Sequence, residues 1–434
     1  MITKPILIKN GRVIDPSQGL DRVVNLMIAE GKIVWRGATD TIPPYSEYEV
    51  INASKEVVCP GFIDLHCHLR QPGFEEKETI ATGTQAAAKG GFTTVCCMPN
   101  TRPPLDSKKI ISYVKSIIKK EGMIQVLPIG CITKSREGKE LTRMKELAEA
   151  GVIAFSDDGD PVTDDKLMKE ALICSYGLPV IDHCENRQLV VGGQINEGKM
   201  SRKLGLKGIP AAAEEMMVER DIEIARQTDG RLHIAHVSTA GSIALISKAK
   251  AAGIKITAEV TPHHLTLTEE TVSGYNTNAK VNPPLRTKQD IESLIEGLKD
   301  NTIDAIATDH APHTTADKNC DFTKAAFGIT GFETALGSLM SLVHSGKLPL
   351  NTFIAKLTVG PAKIIGDKFR SLGTLAIGNS ADIIIFNPEL TWVVDINKLL
   401  SKGKNTPLGG TTLRGKVTAT IYQGKIVYQD EEIK

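Results

Sequence analysis

Two histidines separated by a single residue, His66 and His68, follow an apolar run and are the most direct indication of chemistry in the sequence. On an extended strand the side chains of residues i and i+2 project from the same face, so both imidazoles could bind one metal ion. Cys67 between them would face the other way, and we expect it to be a buried thiol. Such a pair is weak evidence alone, so further ligands must come from elsewhere in the chain.

His183, His236 and Asp309 follow other apolar runs and are the further candidate ligands. Four imidazoles and one carboxylate form a donor set typical of divalent zinc-type hydrolases. In such sites the metal ion lowers the pKa of a water molecule toward neutrality. The Asp309 carboxylate could accept a proton from that water and return it to a leaving nitrogen, as a general acid and base.

Polar residues near these ligands are candidates for binding a substrate. Arg70 lies two residues after His68, so its guanidinium could bind a substrate carboxylate through two parallel hydrogen bonds. The alternative for Arg70 is a surface ion pair. Asn100 and Asn282 could add hydrogen bonds to the substrate, and His313 is a further candidate for a substrate contact.

The remaining histidines of the motifs have structural interpretations. His233 precedes His236 by three residues, so we expect it on the opposite face of the same strand, in the core. One of His263 and His264 could support the site from behind its ligands, and a purely structural role is the alternative. His310 is the chain neighbour of the proposed acid and base.

The candidate residues are positioned by an alternation of strands and helices. Apolar runs rich in β-branched residues predict eight strands, over 57–65, 93–98, 125–132, 152–155, 179–181, 232–237, 254–260 and 303–307. Helical patterns lie between most of them, over 78–89, 107–120, 144–150, 164–175, 211–227, 242–252 and 290–299. We therefore predict an α/β protein whose residues 56–365 form a (β/α)₈ TIM barrel, with an open doubly wound sheet as the alternative. Polar residues at the end of every strand favour the barrel, because its strand ends converge on one mouth.

The two ends of the chain have a different pattern from the middle. Residues 1–55 and 366–434 read as short strands with turns, and the turn residues Asn10-Gly11 and Glu30-Gly31 predict hairpins. The segment GKIVW occurs near the beginning of the chain, and the similar segment GKIVY occurs near its end. We predict that both termini fold together as a small discontinuous β-sandwich-like domain.

Composition excludes several classes of protein. With 434 residues, 41% hydrophobic and 24% charged, the chain is globular rather than disordered or fibrous. A net charge of +1 provides no overall field for nucleic acid or an anionic membrane surface. Eight cysteines without a C-x-x-C pair, and no signal-peptide or membrane-spanning run, predict a cytoplasmic protein.

Longer motifs carry a resemblance to a known family. They are PGFIDLHCHLRQPG at 60–73, KETIATGTQAAAKGGFTTVCCMPNTRP at 77–103, AFSDDG at 154–159, DHCE at 182–185, HIAHVST at 233–239, AEVTPHHL at 258–265, NPPLR at 282–286, ATDHAPH at 307–313 and AAFGITGFETA at 325–335. The chain resembles the amidohydrolase superfamily and, within it, the dihydroorotases of the longer, bacterial type (class I). The resemblance implies a zinc-dependent barrel enzyme with a composite β domain. It also implies that the enzyme interconverts N-carbamoyl-L-aspartate and L-dihydroorotate in pyrimidine biosynthesis.

The resemblance also implies roles for individual residues. His66, His68 and Asp309 would be metal ligands, with His183 and His236 on the side of a second metal ion. Many relatives bridge two ions with a carbamylated lysine on the fourth strand. This chain has no lysine there, so the resemblance implies Asp158 as the ligand, with Asp157 as the fallback, and leaves one or two Zn²⁺ ions open.

Substrate contacts follow from the same resemblance. Arg70, Asn100 and His313 would hold the substrate carboxylate, while Asn282 and the pair Phe327 and Gly328 would touch the ring. The composition of residues 311–330 predicts a mobile loop that could close over the substrate.

Two other functions remain as alternatives. Another cyclic amidohydrolase, an allantoinase or hydantoinase, is disfavoured by Arg70 with Asn100 and by the missing lysine. An inactive homologue could instead serve as a structural partner of another pyrimidine enzyme such as aspartate transcarbamoylase. The implied partners are a small-molecule substrate and, as open alternatives, a second copy of the chain or aspartate transcarbamoylase.

Overall fold

The protein has a mixed α/β fold, seen in a computed structural model that describes residues 4–38, 42, 43, 45 and 47–431. The strands of the described residues are Ile6–Lys9 (β1), Arg12–Asp15 (β2), Leu20–Val23 (β3), Asn25–Ala29 (β4), Lys32–Gly37 (β5), Glu49–Asn52 (β6), Val57–Pro60 (β7), Phe62–Cys67 (β8), Phe92–Cys97 (β9), Gln125–Pro128 (β10), Phe155–Ser156 (β11), Val180–Asp182 (β12), Ile195–Asn196 (β13), Gly208–Ile209 (β14), Leu232–Ile234 (β15), Ile256–Val260 (β16), Ala305–Ile306 (β17), Ile383–Val393 (β18), Thr412–Tyr422 (β19) and Lys425–Gln429 (β20). The α-helices are Ile80–Lys89 (α1), Lys108–Glu121 (α2), Met144–Ala150 (α3), Asp165–Ile173 (α4), Arg187–Val190 (α5), Lys199–Leu204 (α6), Ala212–Thr228 (α7), Ala240–Ala251 (α8), Pro262–Thr266 (α9), Lys288–Lys299 (α10), Thr315–Lys318 (α11), Ala335–His344 (α12), Leu350–Leu357 (α13) and Val359–Ile365 (α14).

Eight strands of the middle of the chain pair in parallel. One sheet has the order β10-β9-β8 and a second has the order β11-β12-β15-β16-β17. Parallel bridges between Cys67 and His310, and between Gly130 and Phe155, join the two sheets. The polar residues that follow these strands therefore lie at one end of a parallel array, where ligand sites of α/β proteins form.

Each apolar run in the middle of the chain forms a strand as predicted, but the first run divides in two. Val57–Pro60 (β7) pairs with β2 and β18, whereas Phe62–Cys67 (β8) pairs with β9. Gly61 lies at the division, and a Cβ there would be 2.2 Å from the Thr93 Oγ1. Only glycine allows the strands to approach so closely at this point.

A bulge in β8 sets the direction of the two histidines of the H-x-H pair. Asp64 pairs with Val95 and Cys67 pairs with Cys97, so three steps along β8 match two along β9. Cys67 and Cys97 then lie together in the hydrophobic cluster between strands and helices. His66 and His68 consequently face the opposite side, because a bulge re-aims the side chains that follow it.

The terminal strands form two further sheets. Their orders are β5-β4-β1-β6 and β20-β19-β18-β7-β2-β3. The hairpin predicted at Glu30-Gly31 is confirmed, since β4 pairs with β5 in antiparallel orientation. The hairpin predicted at Asn10-Gly11 is wrong, because β1 pairs with β4 and β6 while β2 pairs with β3 and β7. Of these two turn residues only Asn10 has positive φ, whereas the type I′ turn that an Asn-Gly pair favours requires it at both.

The two ends of the chain contact one another. One hydrophobic cluster contains Ile8 and Leu26 from the beginning of the chain together with Ile383 and Ile421 from its end. The turns of the two GKIV phrases also meet, since a Cβ on Gly424 would lie 2.7 Å from the Gly31 Cα.

Four helices after β17, α11 to α14, were not among the predicted helical patterns. In α12 every residue from Ala335 to Met340 is buried, so the helix has no polar stripe from which a period could be read. Within the described residues, no helix is both long enough and apolar enough to cross a membrane.

Deleting residues 1–50 tests whether the ends depend on one another. The deletion removes β1 to β5 and those members of the shared cluster with Ile383 and Ile421 that come from residues 6–33. We expect the C-terminal strands to become sensitive to limited proteolysis, measured by mass spectrometry of the fragments, with cleavage inside residues 56–365 as the internal reference. Unchanged protection of residues 383–429 would contradict the dependence.

Candidate metal centre and active site

The two imidazoles of the H-x-H pair face two carboxylates. His66 Nε2 lies 3.3 Å from Asp158 Oδ1 and 3.7 Å from Asp309 Oδ1. His68 Nε2 lies 3.0 Å from Asp309 Oδ1 and 3.5 Å from Asp158 Oδ2. All four side chains are buried.

Their other ring nitrogens are held by acceptors, which sets the tautomers. His66 Nδ1 donates to Glu259 Oε1 at 2.9 Å, and His68 Nδ1 donates to Asn100 Oδ1 at 2.9 Å. With Nδ1 as the donor of each ring, Nε2 is the ring atom that faces the carboxylates, and it would offer its lone pair to a metal ion once deprotonated.

Asp158 is the centre of the cluster. Its Oδ1 lies 3.7 Å from both His183 Nδ1 and His236 Nε2, and these two ring nitrogens are 2.9 Å apart. The two Asp158 oxygens thus face different members of the cluster, Oδ1 toward His183 and His236 and Oδ2 toward His68.

Asp157, the fallback for this position, serves another purpose. Its carboxylate accepts hydrogen bonds from the backbone N–H groups of Ile132 and Thr133 and from the Thr133 hydroxyl. These bonds tie the end of β11 to the loop after β10, so Asp157 does not join the cluster.

Several residues of the site have strained backbones. The φ angles are +33° at His236, +45° at Asp309 and +61° at Arg70. Ile234 packs between strands and helices while Ala235 packs on the opposite face, so regular alternation would turn His236 toward the helices. The left-handed conformation at His236 instead turns its imidazole toward Asp158, a conformation that costs about 1–3 kcal/mol and persists only where surrounding contacts enforce it.

The carboxylates of the cluster are ionised. Burial opposes the charge on Asp158, but His66, His183 and His236 hold the pKa of this carboxyl well below its usual range. Burial likewise opposes the charge on Asp309, and His66 and His68 lower the pKa of that carboxyl. Two anionic carboxylates among four imidazoles provide strong ligands for a dication.

The donor set fits a divalent metal ion. His66, Asp158 and His236 form one group whose ligand atoms lie within 4.8 Å of one another, and His66, His68 and Asp309 form a second. His66 Nε2 and Asp158 Oδ1 are buried and have no hydrogen-bond partner among the described residues. Buried polar atoms are rarely left unpaired, so these two orphans in close contact point to an ion as the missing partner.

A second group of polar residues lies beside this cluster. Arg70 Nε donates to the Pro312 carbonyl at 3.2 Å, and Arg70 Nη2 lies 3.3 Å from His313 Nε2. Burial lowers the pKa of Arg70 to about 10, so the guanidinium stays cationic at neutral pH. Within the described part of the chain no carboxylate lies within 4 Å of this guanidinium.

His313 is neutral and has one defined tautomer. Burial and the cations Arg70, Lys77 and Lys318 lower the pKa of His313 to about 3. Its Nε2 donates to the Phe327 carbonyl at 2.8 Å, and its Nδ1 accepts from Lys77 Nζ at 3.4 Å. The segment of Phe327 and Gly328 therefore lies directly beside His313.

The two asparagines contact different histidines of the cluster. Asn100 contacts His68 and also donates to Asp158 Oδ2 at 3.4 Å. Asn282 donates to Glu185 Oε2 at 2.7 Å and lies 3.3 Å from His183 Nε2. Its Oδ1 is buried without a partner among the described residues.

Glu259 belongs to the site but was not a predicted site residue, and His233 lies on a different face from the one predicted. Glu259 receives the hydrogen bond of His66, and its other oxygen lies 3.2 Å from His233 Nε2. His233 is buried in the core as expected. The expectation that it faces the side opposite to His236 is wrong, because the left-handed turn at His236 brings both histidines to one side. A signal existed for Glu259: a carboxylate inside an apolar strand must find a partner.

His264 has the structural role that was one of its two interpretations. Its Nδ1 accepts from the Thr261 hydroxyl at 2.7 Å, and its Nε2 donates to the Pro283 carbonyl at 2.9 Å, next to Asn282. His263 is buried beside it, and its Nε2 has no hydrogen-bond partner among the described residues.

Comparison with known proteins identifies relatives along the whole chain. A family model described as Dihydro-orotase-like matches residues 55–242, and one described as Amidohydrolase family matches residues 207–428. The dihydroorotase of Thermoanaerobacter sp. (strain X514) is 51% identical over 98% of both chains. The dihydroorotase of Geobacter metallireducens is 49% identical over 98% of this chain and 99% of that protein.

Solved structures share the fold. L-hydantoinase (dihydropyrimidinase) from Arthrobacter aurescens superposes with a TM-score of 0.88 at 24% identity, covering 99% of this chain and 96% of the other. D-hydantoinase (dihydropyrimidinase) from Thermus sp. gives a TM-score of 0.84 at 25% identity, covering 98% and 95%.

Substituting Glu259→Gln tests whether this carboxylate orients His66. Loss of the charged acceptor should weaken the binding of a divalent metal ion, with Zn²⁺ as the probe, about tenfold to a hundredfold, the usual effect of removing such a partner. The measurement is zinc affinity by competition with a chelator. Glu269→Gln is the matched control, since Glu269 is also buried but accepts its hydrogen bond from Asn196, outside the cluster. Equal zinc affinity in both variants would show that Glu259 has no such role.

Proposed function

The chain belongs to the dihydroorotase family of the amidohydrolases, and we propose that it interconverts N-carbamoyl-L-aspartate and L-dihydroorotate. The observation that carries this proposal is the pairing of an ionised His and Asp cluster with a half-buried guanidinium that has no carboxylate partner among the described residues. The cluster suits hydrolysis of a cyclic amide, and the guanidinium suits a substrate that bears a free carboxylate.

We propose zinc as the metal, held by the following six residues: His66, His68, Asp158, His183, His236 and Asp309. Two groups of donors that share His66, with Asp158 facing both, support a site for two ions. A bound zinc ion would polarise the amide carbonyl and lower the pKa of a water molecule.

Asp309 is the proposed proton carrier. Its Oδ1 lies 3.7 Å from the Nε2 atom of His66 and 3.0 Å from that of His68. An ionised carboxylate can take a proton from the attacking water and deliver it to the ring nitrogen as the amide bond breaks. In the direction of ring closure the same oxygen would remove the proton from the carbamoyl nitrogen.

Arg70, Asn100 and His313 are the proposed contacts of the substrate carboxylate. Arg70 is cationic and has no carboxylate partner within 4 Å among the described residues, so an incoming carboxylate would not compete with an existing ion pair. Asn282 and the segment of Phe327 and Gly328 would lie along the ring. All six proposed ligands are present, which argues against an inactive homologue.

The fold supports a closed barrel for the catalytic part. Bridges join the two parallel sheets at Cys67 to His310 and at Gly130 to Phe155. We propose that residues 56–365 form a (β/α)₈ barrel and that residues 1–55 and 366–434 form the composite β domain. Strand β7, at the boundary, pairs with the terminal strands.

A panel of substrates tests the proposed function. The zinc-loaded protein should hydrolyse L-dihydroorotate and should leave hydantoin and allantoin, which lack the carboxylate, largely unreacted. Arg70→Met should raise KM for L-dihydroorotate about tenfold to a hundredfold, since a charge-assisted hydrogen bond contributes about 1.5–3 kcal/mol. Arg102→Met is the control, because Arg102 is an exposed arginine packed on Phe74.

Each other result of the panel identifies a different function. Rapid hydrolysis of hydantoin or allantoin would identify another cyclic amidohydrolase. A protein that binds zinc but hydrolyses none of the three compounds would be an inactive homologue.

Asp309→Ala tests the proton carrier. We expect kcat to fall about 10²–10⁴-fold, the usual contribution of a general acid and base, while substrate binding stays largely intact. Steady-state kinetics and calorimetric titration measure the two effects, and zinc content is checked in parallel. Asp304→Ala, at the opposite end of the same strand and bonded to Lys250, should retain turnover. Near wild-type kcat in Asp309→Ala would rule out the proposed role.

A further inference from the structure

A residue far along the chain, Asn405, contacts the segment that carries His313. Asn405 lies in the connection between β18 and β19 and is buried. Its Nδ2 donates to the carbonyl oxygens of Ala311 and Gly328, each at 3.0 Å. Its Oδ1 accepts from the His313 N–H at 2.9 Å.

These bonds join the two ends of one loop. Ala311 begins the segment that was predicted to be a mobile loop, and Gly328 lies near its end. The Asn405 carbonyl also accepts from the Thr330 N–H at 2.9 Å. One side chain and its own backbone therefore contact the segment at four points, and both ends of the loop are held to the C-terminal part of the chain.

The geometry at Gly328 shows how tightly the ends approach. Gly328 has φ of +143°, and a Cβ there would lie 2.8 Å from the Ala311 carbonyl oxygen and 3.0 Å from His313 Cδ2. The two backbone stretches can pack this closely only without a side chain at Gly328. The carbonyl groups of Ala311 and Gly328 both point toward the Asn405 side chain, and its Nδ2 donates a hydrogen bond to each of them.

The consequence for the site is the position of one imidazole. The His313 backbone is held by Asn405, and its ring is held by Phe327 on the opposite side of the same loop. With both ends fixed, the ring stays beside Arg70, 3.3 Å from Nη2.

We propose that Asn405 is a positioning residue of the carboxylate subsite: it fixes the stem of the loop 311–330 so that His313 stands beside Arg70. The proposal rests on the proposed function for the identity of the substrate. Asn405 touches neither the metal cluster nor the guanidinium in any described contact, so it acts through His313.

Asn405→Ala tests the proposal with two readouts. Loss of the buried hydrogen bonds should raise KM for L-dihydroorotate about tenfold while kcat stays within about threefold, since about 1.4 kcal/mol of positioning is lost before the chemical step. Independently of turnover, hydrogen–deuterium exchange should become faster in the peptide that contains the His313 amide, because the variant lacks the side-chain oxygen that accepts its hydrogen bond. Asn405→Ser serves as a second variant if the alanine variant is unstable, since its hydroxyl fills part of the space.

Asn387→Ala is the matched control. Asn387 also lies in the C-terminal part, where its side chain accepts from the N–H groups of Glu389 and Leu390 in a local turn away from the site. We expect the control to leave KM and exchange at His313 unchanged.

The results distinguish failure of the positioning role of Asn405 from failure of the proposed function. Exchange that is unchanged at His313, or a fall in kcat with KM unchanged, would overturn the positioning role even in an active enzyme. A wild-type protein that does not turn over L-dihydroorotate would overturn the proposed function, while faster exchange at His313 in Asn405→Ala would still support the structural part of the proposal.

Discussion

The carboxylate of Asp158 among four imidazoles is the interaction on which the rest of the site depends. A buried carboxylate loses the solvation of water and requires compensation from nearby donors or positive charge. His66, His183 and His236 supply that compensation and keep Asp158 ionised. Because these side chains come from different strands, the charge can be compensated only when the strands are assembled.

The strands assemble this cluster by departing from regular geometry. A bulge in β8 turns His66 and His68 to one side, and left-handed backbone at His236 and Asp309 turns these side chains toward the others. The left-handed residues cost free energy that a regular strand does not, so neighbouring contacts must stabilise these conformations. At Asp309 these contacts come from both flanks: the N–H of Thr308 donates to Asp64, and the carbonyl of His310 accepts from the N–H of His68.

Support for the site extends far along the chain. Glu259 orients His66 and is itself paired with His233 on the neighbouring strand, while Asn405 reaches the loop of His313 from the C-terminal part. The loop predicted to be mobile is thus tied at its stem. The terminal sheets contribute to this support, because Asn405, which lies between β18 and β19, bonds to the segment that carries His313.

Much of the fold and most of the candidate residues could be read from the sequence. Periodicity located the eight parallel strands and seven of the helices, and the polar residues after those strands include every member of the cluster around Asp158. These features are local: alternation and helical period depend on a few neighbouring residues, and strand ends of a parallel array must lie at one edge.

The sequence could not distinguish between alternative residues or faces where distant contacts decide between them. Asp157 and Asp158 are adjacent and chemically identical, and only their surroundings separate them, Thr133 for one and four imidazoles for the other. Distant contacts also decide which face of its strand His233 occupies and which histidines Glu259 contacts. They decide, too, that the chain passes from one sheet to another at Asn10-Gly11 instead of forming a hairpin. Local patterns in the chain identify the side chains that carry the chemistry. Contacts between distant segments set the directions of those side chains, because bulges and left-handed residues are stabilised by packing across the fold and leave no local pattern.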